Sequence, residues 1–154
     1  MIEIASLEPQ LVIGMRRKGR YKEIAEMLPR LFAYAMSHKA IFTGPPLYLW
    51  HEKCVEEAKT ADEAGTADIE VCVPIAKSIP ESEEIKCYEL CGGKMARTVH
   101  KGPYQECSST YERLFSWLDE NDQKIVGPIR EAYLNDPREV APEEILTMIY
   151  VPIG

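Results

Sequence analysis

Shifted against itself by 83 residues, the sequence meets itself in register. Lys18-Gly19-x-Tyr21-x-Glu23 falls on Lys101-Gly102-x-Tyr104-x-Glu106, Arg30-Leu31-Phe32 on Arg113-Leu114-Phe115, and Gly44-Pro45 on Gly127-Pro128. Ile2, Leu7 and Trp50 meet Ile85, Leu90 and Tyr133 at the same shift. Further on the offset becomes 78, the second copy being five residues shorter, and Val73-Pro74-Ile75 falls on Val151-Pro152-Ile153. Several short matches in one register are hard to reach by chance, and a repeat fixes the architecture of everything around it. The expectation is one domain over residues 1–154, built from a first copy at about 1–80 and a second at about 83–154.

Each copy reads as a strand-helix-strand-strand unit with one further strand ahead of it. Ile2–Leu7 and Leu11–Arg17 open the first copy, Ile85–Leu90 and Lys94–Lys101 the second, with Gly92-Gly93 marking the break. In the second copy Tyr104, Cys107, Tyr111, Leu114, Phe115 and Leu118 recur at helical spacing. The matching stripe of the first copy is Tyr21, Ile24, Leu28, Leu31, Phe32 and Ala35, interrupted by Pro29. A proline costs about 3 kcal/mol inside a regular helix, so a kink or a fresh helix start is expected there. Leu47–Glu52 with Ile69–Ile75, and Ile129–Leu134 with Ile145–Ile153, close the copies. Runs of strands with two helices predict an α+β fold: an antiparallel sheet, both helices on one face, and a ligand cleft at the pseudo-two-fold between the copies.

Charge and cysteine content narrow the function. Net charge is −7, which repels a phosphate backbone, and Arg16-Arg17-Lys18 reads first as a solvated strand end. Duplex DNA is therefore not an expected partner. The longest apolar run, Ile145–Ile153, falls far short of the ~20 residues of a membrane span. An acidic residue, Glu3, stands where a secretory leader carries positive charge, so the expected location is the cytoplasm. Five irregularly spaced cysteines form no disulfide framework, and neither they nor His51 and His100 have zinc-finger spacing. No metal and no cofactor is expected. Catalytic signatures such as a Gly-x-Ser-x-Gly elbow, a phosphate-binding glycine loop or His-Glu-x-x-His are absent, so no catalytic residue is assigned.

Strand alternation sorts the closing strands into two faces. Val71 and Val73, and Ile149 and Val151, are expected to pack on the helices, leaving Glu70 and Cys72, Met148 and Tyr150, on the opposite face. Leu47 and Leu49 are expected in the helix-side core, which places Tyr48 and Trp50, with their offset partners Glu131 and Tyr133, opposite. One face would then collect Trp50, Tyr133, Glu70, Met148, Tyr48, Tyr150 and Glu131 as a ligand-binding set. Aromatic ring faces and carboxylates together suit a flat hydrophobic molecule or a lipophilic cation.

Val99-His100-Lys101-Gly102-Pro103-Tyr104, Ile125-Val126-Gly127-Pro128, Tyr133-Leu134-Asn135-Asp136-Pro137 and the run Leu146–Ile153 resemble the GyrI-like small-molecule-binding domain, the effector-binding domain of AraC- and MerR-type regulators. The resemblance covers nearly the whole chain. It implies the duplicated fold with a ligand cleft, and three classes of activity: drug sensing or sequestration, inhibition of gyrase, and hydrolysis of cyclopropane-bearing genotoxins. The family's last strand usually reads Thr-Glu-Ile, its glutamate lying in the cleft, and Met148 takes that position here. Glu70 or Glu131 would then supply the acid. The expected function is a stand-alone binding protein for small hydrophobic or cationic drug-like ligands. Hydrolysis of electrophiles, with Glu70 or Glu131 as the acid and Tyr133 or Trp50 positioning substrate, and a protein-interaction role with an unidentified partner are the alternatives.

Overall fold

The computed structural model describes residues 1–154, Gln105 in its backbone alone. In chain order the elements are β1 (Glu3–Leu7), β2 (Gln10–Gly19), α1 (Ile24–Ser37), β3 (Leu47–Trp50), α2 (Val55–Ala64), β4 (Ala67–Pro74), β5 (Ile85–Leu90), β6 (Gly93–Lys101), α3 (Ser108–Glu120), β7 (Ile129–Tyr133) and β8 (Leu146–Pro152). Single 3-10 turns at Tyr21–Glu23 and Tyr104–Glu106 lead into α1 and α3, and a third spans Pro142–Glu144. The fold is α+β and every strand pairing within the units is antiparallel.

The chain forms two compact units, Pro9–Cys91 and Met1–Glu8 with Gly92–Gly154. In the first, β3 pairs with β4, β4 with β2 and β2 with β5. In the second, β7 pairs with β8, β8 with β6 and β6 with β1. Strand β1 therefore joins the sheet of residues 93–152, and β5 the sheet of residues 10–74. The short turns at Glu8-Pro9 and Cys91-Gly92 are where the chain passes from one unit to the other.

The connections after the helices are bonded alike. Phe42 bridges Ile75, and Ile125 bridges Ile153. Thr43 N–H donates to Pro74 O at 3.1 Å, and Val126 N–H to Pro152 O at 2.9 Å. Beside them a side chain on Gly44 would meet Pro74 at 3.4 Å, and one on Gly127 would meet Pro152 at 3.4 Å.

Two points differ from the expectation. Of the kink or fresh start expected at Pro29, the fresh start is absent there, since α1 runs as one helix from Ile24 to Ser37. The fresh start lies upstream, where the 3-10 turn at Tyr21–Glu23 becomes α-helix, and the buried stripe Met27, Leu31 and Ala35 holds the helix across the proline. The described residues also form three α-helices, not two. Helix α2 buries no residue, so it has no apolar stripe to read, and its ends are set locally. Cys54 Sγ accepts from Glu57 N–H at 3.4 Å at one end, and Gly65 turns left-handed, at φ 72°, at the other.

In the 92–154 unit the core is Ala96, Leu114, Leu118, Ile149, Val151 and Ile153, with Ile2, Tyr111, Trp117 and Ile129 packed around it. This is the face on which α3 lies. In the 9–91 unit Ile13, Met15, Met27, Leu31, Ile69, Val71 and Val73 are buried.

Candidate functional site

Directly paired residues of an antiparallel ladder project to one face, so register assigns the faces. In β3 and β4, Tyr48 pairs with Val71 and Trp50 with Ile69, whereas Leu47 pairs with Cys72 and Leu49 with Glu70. Tyr21, from the turn leading into α1, lies against both Tyr48 and Trp50. The aromatics therefore sit on the helix side with the valines, and Leu47 and Leu49 share the other face with Glu70. In β7 and β8, Glu131 pairs with Ile149 and Tyr133 with Thr147, whereas Ala132 pairs with Met148 and Arg130 with Tyr150. Since Ile149 packs under α3, Glu131 and Tyr133 are also on the helix side.

The expected single face is thus divided. Tyr48 and Trp50, and in the other unit Glu131 and Tyr133, face the helices, while Glu70, Met148 and Tyr150 face away. The valines and Ile149 were placed correctly; the phase of β3 and β7 was not. Strand β3 is buried on both faces, so the hydrophobicity of its leucines carries no information about which face meets the helix.

Around Glu70 the structure builds a closed polar network. Tyr88 Oη donates to Glu70 Oε2 at 2.7 Å, and His51 Nε2 lies 2.7 Å from Oε1. Arg16 stands 3.9 Å from the same oxygen and binds Asp68 through two bonds of 2.9 and 2.7 Å. Burial alone would push the Glu70 carboxyl up, but the bonds from His51 and Tyr88 and the nearby charges outweigh it and hold it below the usual range. Tyr88 is pushed well above its ordinary value, by burial first. It reaches Glu70 across Gly14, where any Cβ would lie 2.1 Å from the Tyr88 hydroxyl.

The helix-side aromatics of this unit form a packed trio. Trp50 lies 4.9 Å from Tyr21 and 4.9 Å from Tyr48 between ring centroids. Tyr21 is tied at two points: its hydroxyl donates to Glu52 Oε1 at 2.5 Å, and its backbone N–H to Asp62 Oδ1 at 2.8 Å. An open depression of about 530 Å³ is lined by Glu52 together with Lys18, Cys54, Glu56, Glu57 and Thr60 among others, and none of the three rings lines it.

In the 92–154 unit a second cluster forms around Glu131. Tyr111, from α3, donates to Glu131 Oε2, and Tyr133 donates to Oε1 at 3.5 Å. Tyr104 stands edge-on to Tyr133, at 5.5 Å between centroids. Cys107 is pushed up to about 12 by burial and by Glu131, so its thiol stays protonated near neutrality. Tyr104 and Tyr111 are raised by burial and by the same carboxylate. His100 is engaged at both nitrogens: Nδ1 lies 2.8 Å from the Thr110 hydroxyl, and Nε2 lies 3.0 Å from Pro103 O. Because a carbonyl only accepts, Nε2 donates to Pro103 O, and the ring bridges β6 to the first turn of α3.

Tyr21, Tyr104 and Tyr111 were read from sequence only as helix-stripe residues; their role as ring partners needed β3 and β7 to be placed beneath them. Tyr88 and His51 carried no signal at all. Among the described residues no group of three or more His, Cys, Asp or Glu is placed to hold a metal ion, and no helix is long and apolar enough to cross a membrane.

With this fold and these clusters the chain belongs to the GyrI-like small molecule binding domain family, which it matches over residues 1–154. Its fold is shared with the C-terminal domain of EcmrR, at TM-score 0.87 and 18% identity over 100% of this chain and 97% of that one. Against the EcmrR chain in its complex with DNA, this chain spans 57% of the regulator's length. A hydrolase encoded by lin2189 of Listeria innocua matches at TM-score 0.72 and 16% identity, over 99% of this chain and 91% of that one. SAV2435 bound to tetraphenylphosphonium matches at 0.63 and 11%, over 100% and 94%. At such identities the likeness is one of fold. No curated protein shows significant similarity to the chain.

Proposed function

We propose that residues 1–154 act as one binding domain for hydrophobic, cationic drug-like molecules, sensing or sequestering them. Of the seven expected binding residues, Glu131 and Tyr133 are the ones we assign to the ligand. The observation that carries this is the Glu131 cluster: a buried carboxylate on the helix face, held by the hydroxyls of Tyr111 and Tyr133, with a third ring, Tyr104, stacked beside it. A cation 4 Å from such a carboxylate gains about 4 kcal/mol at an effective dielectric near 20, before desolvation. Aromatic faces add to this and accept flat apolar ligands of many shapes. SAV2435 holding tetraphenylphosphonium supports a lipophilic cation as the first probe.

Glu70 suits a structural task, since its oxygens are met by His51 and Tyr88 and it is held ionised. An ionised group of that kind is a poor proton donor, which weighs against Glu70 as the acid of a hydrolase. Tandem duplication accounts for the recurring element order, for the alike bonding of the Gly44 and Gly127 loops, and for the exchange of β1 and β5.

The test is a calorimetric titration of tetraphenylphosphonium into the protein. Micromolar affinity is expected, weakened severalfold by Glu131→Gln and little changed by Glu70→Gln. Neutral triphenylphosphine oxide should respond to neither. Equal binding of the cation by the wild type and Glu131→Gln would remove the electrostatic part of the reading.

A further inference from the structure

We infer that Thr147 is a ligand contact covered by a displaceable ring, Tyr104, and that the ligand is a flat aromatic molecule carrying a hydrogen-bond acceptor. This rests on the small-molecule reading above and adds a polar requirement to it.

Thr147 is 0% exposed and its hydroxyl has no hydrogen-bond partner among the described residues. Buried polar atoms are almost always satisfied, so such a hydroxyl in a native core calls for an explanation. Its ladder neighbours are His100 on β6 and Tyr133 on β7. His100 does not serve as the partner, because Thr110 and Pro103 O occupy both of its nitrogens. The orphan hydroxyl is thus on the helix face, directly beside the tyrosine that holds Glu131.

The ring stacked on that tyrosine is loosely held. Tyr104 is 38% exposed. Its counterpart Tyr21 in the other unit is anchored by Glu52 and Asp62. Its ring packs edge-to-face on Tyr133 at 5.5 Å, a contact that an incoming aromatic ring can replace with its own. When Tyr104 swings out, the ring of Tyr133 is left as a platform with the Thr147 hydroxyl at its side. A ligand with a carbonyl or similar acceptor satisfies that hydroxyl. The cost of leaving it unsatisfied in the free protein then reappears as affinity.

Two cationic probes separate the possibilities: rhodamine 6G, which has an ester carbonyl, and tetraphenylphosphonium, which has no hydrogen-bonding atom. Thr147→Val keeps the shape and removes the orphan. It should raise the Tm of the free protein by about a few degrees, while raising the Kd for rhodamine 6G about two- to tenfold, the range for one hydrogen bond. Tetraphenylphosphonium should bind Thr147→Val as it binds the wild type, and Thr147→Ser should keep rhodamine 6G affinity. Tyr104→Ala should speed association of both probes severalfold, whereas Tyr104→Phe should leave it unchanged.

A Thr147→Val protein that gains stability with no loss for rhodamine 6G overturns the inference, as does an equal loss for both probes. Tyr104→Ala with unaltered association rates removes the displaceable ring. If neither probe binds the wild-type protein, the cationic small-molecule reading falls and takes this inference with it. Binding of both probes with a silent Thr147→Val overturns this inference alone.

Discussion

Glu70 and Glu131 are both buried glutamates on sheet strands, one in each unit, yet they are furnished for different tasks. Glu70 is met by the Tyr88 hydroxyl and His51, with Arg16 near by, and Gly14 is kept bare so that the Tyr88 ring can cross the strand to reach it. Glu131 is met by the hydroxyls of Tyr111 and Tyr133 and lies among rings, one of them loosely held. The first arrangement fixes a charge in a rigid polar lattice. The second sets a carboxylate beside tyrosine rings, the surroundings on which the proposed cation site rests.

The largest expected effect is on stability. Glu70→Ala strands His51, Tyr88 and the neighbouring arginine, and should cost about 3 kcal/mol in urea unfolding, the scale of breaking a buried ion pair. Glu131→Gln should cost under about 1 kcal/mol and act on cation affinity instead. Similar losses from both substitutions would break the comparison. Next is Gly14→Ala, expected to cost about 2 kcal/mol by driving the Tyr88 ring off Glu70. In a Tyr88→Leu background the same change should be nearly neutral, and a double-mutant cycle measures the difference.

The pH dependence is subtler. Because folding holds the Glu70 carboxyl below its usual 4.5, the stability it contributes is fully present above that value. It is lost as pH falls through the lower folded-state value. Unfolding free energy should therefore drop on acidification below about 4.5, and drop less steeply in Glu70→Gln; parallel curves would show that Glu70 is not the group responsible. The smallest effect is chemical. Cys107, raised to about 12 by burial and Glu131, should resist iodoacetamide at pH 8, while exposed Cys54 reacts. Comparable labelling of both would place the Glu131 cluster in a far wetter setting than its side chains indicate.

Local physics wrote much of this molecule into the chain. The strands and the helices α1 and α3 lie in the order that the sequence reading expected, with α2 unread between β3 and β4, and Gly44-Pro45 and Gly127-Pro128 marked loops that are bonded alike. Period-two alternation put Val71, Val73, Ile149 and Val151 beneath the helices, because β4 and β8 each carry a polar or aromatic residue between their aliphatic ones. The family motifs likewise lie in contiguous runs, which a sequence displays without any fold.

What alternation left open is phase, and phase is a tertiary quantity. A strand buried on both faces, such as Leu47–Trp50, reads the same with either side toward the helix; only its pairing with β4 puts Tyr48 and Trp50 there. Helix α2 escaped notice because it buries nothing, leaving caps and charges as its only marks. The exchange of β1 and β5, the Tyr88–Glu70–His51 network and the orphan hydroxyl of Thr147 all depend on residues brought together by strand pairing, far apart or silent along the chain. The sequence by itself determined where the strands and the helices α1 and α3 form, since those follow from residue periodicity. Only the tertiary structure decided which face each strand shows and which carboxylate is left among rings, since those follow from hydrogen-bond register between segments distant in the chain.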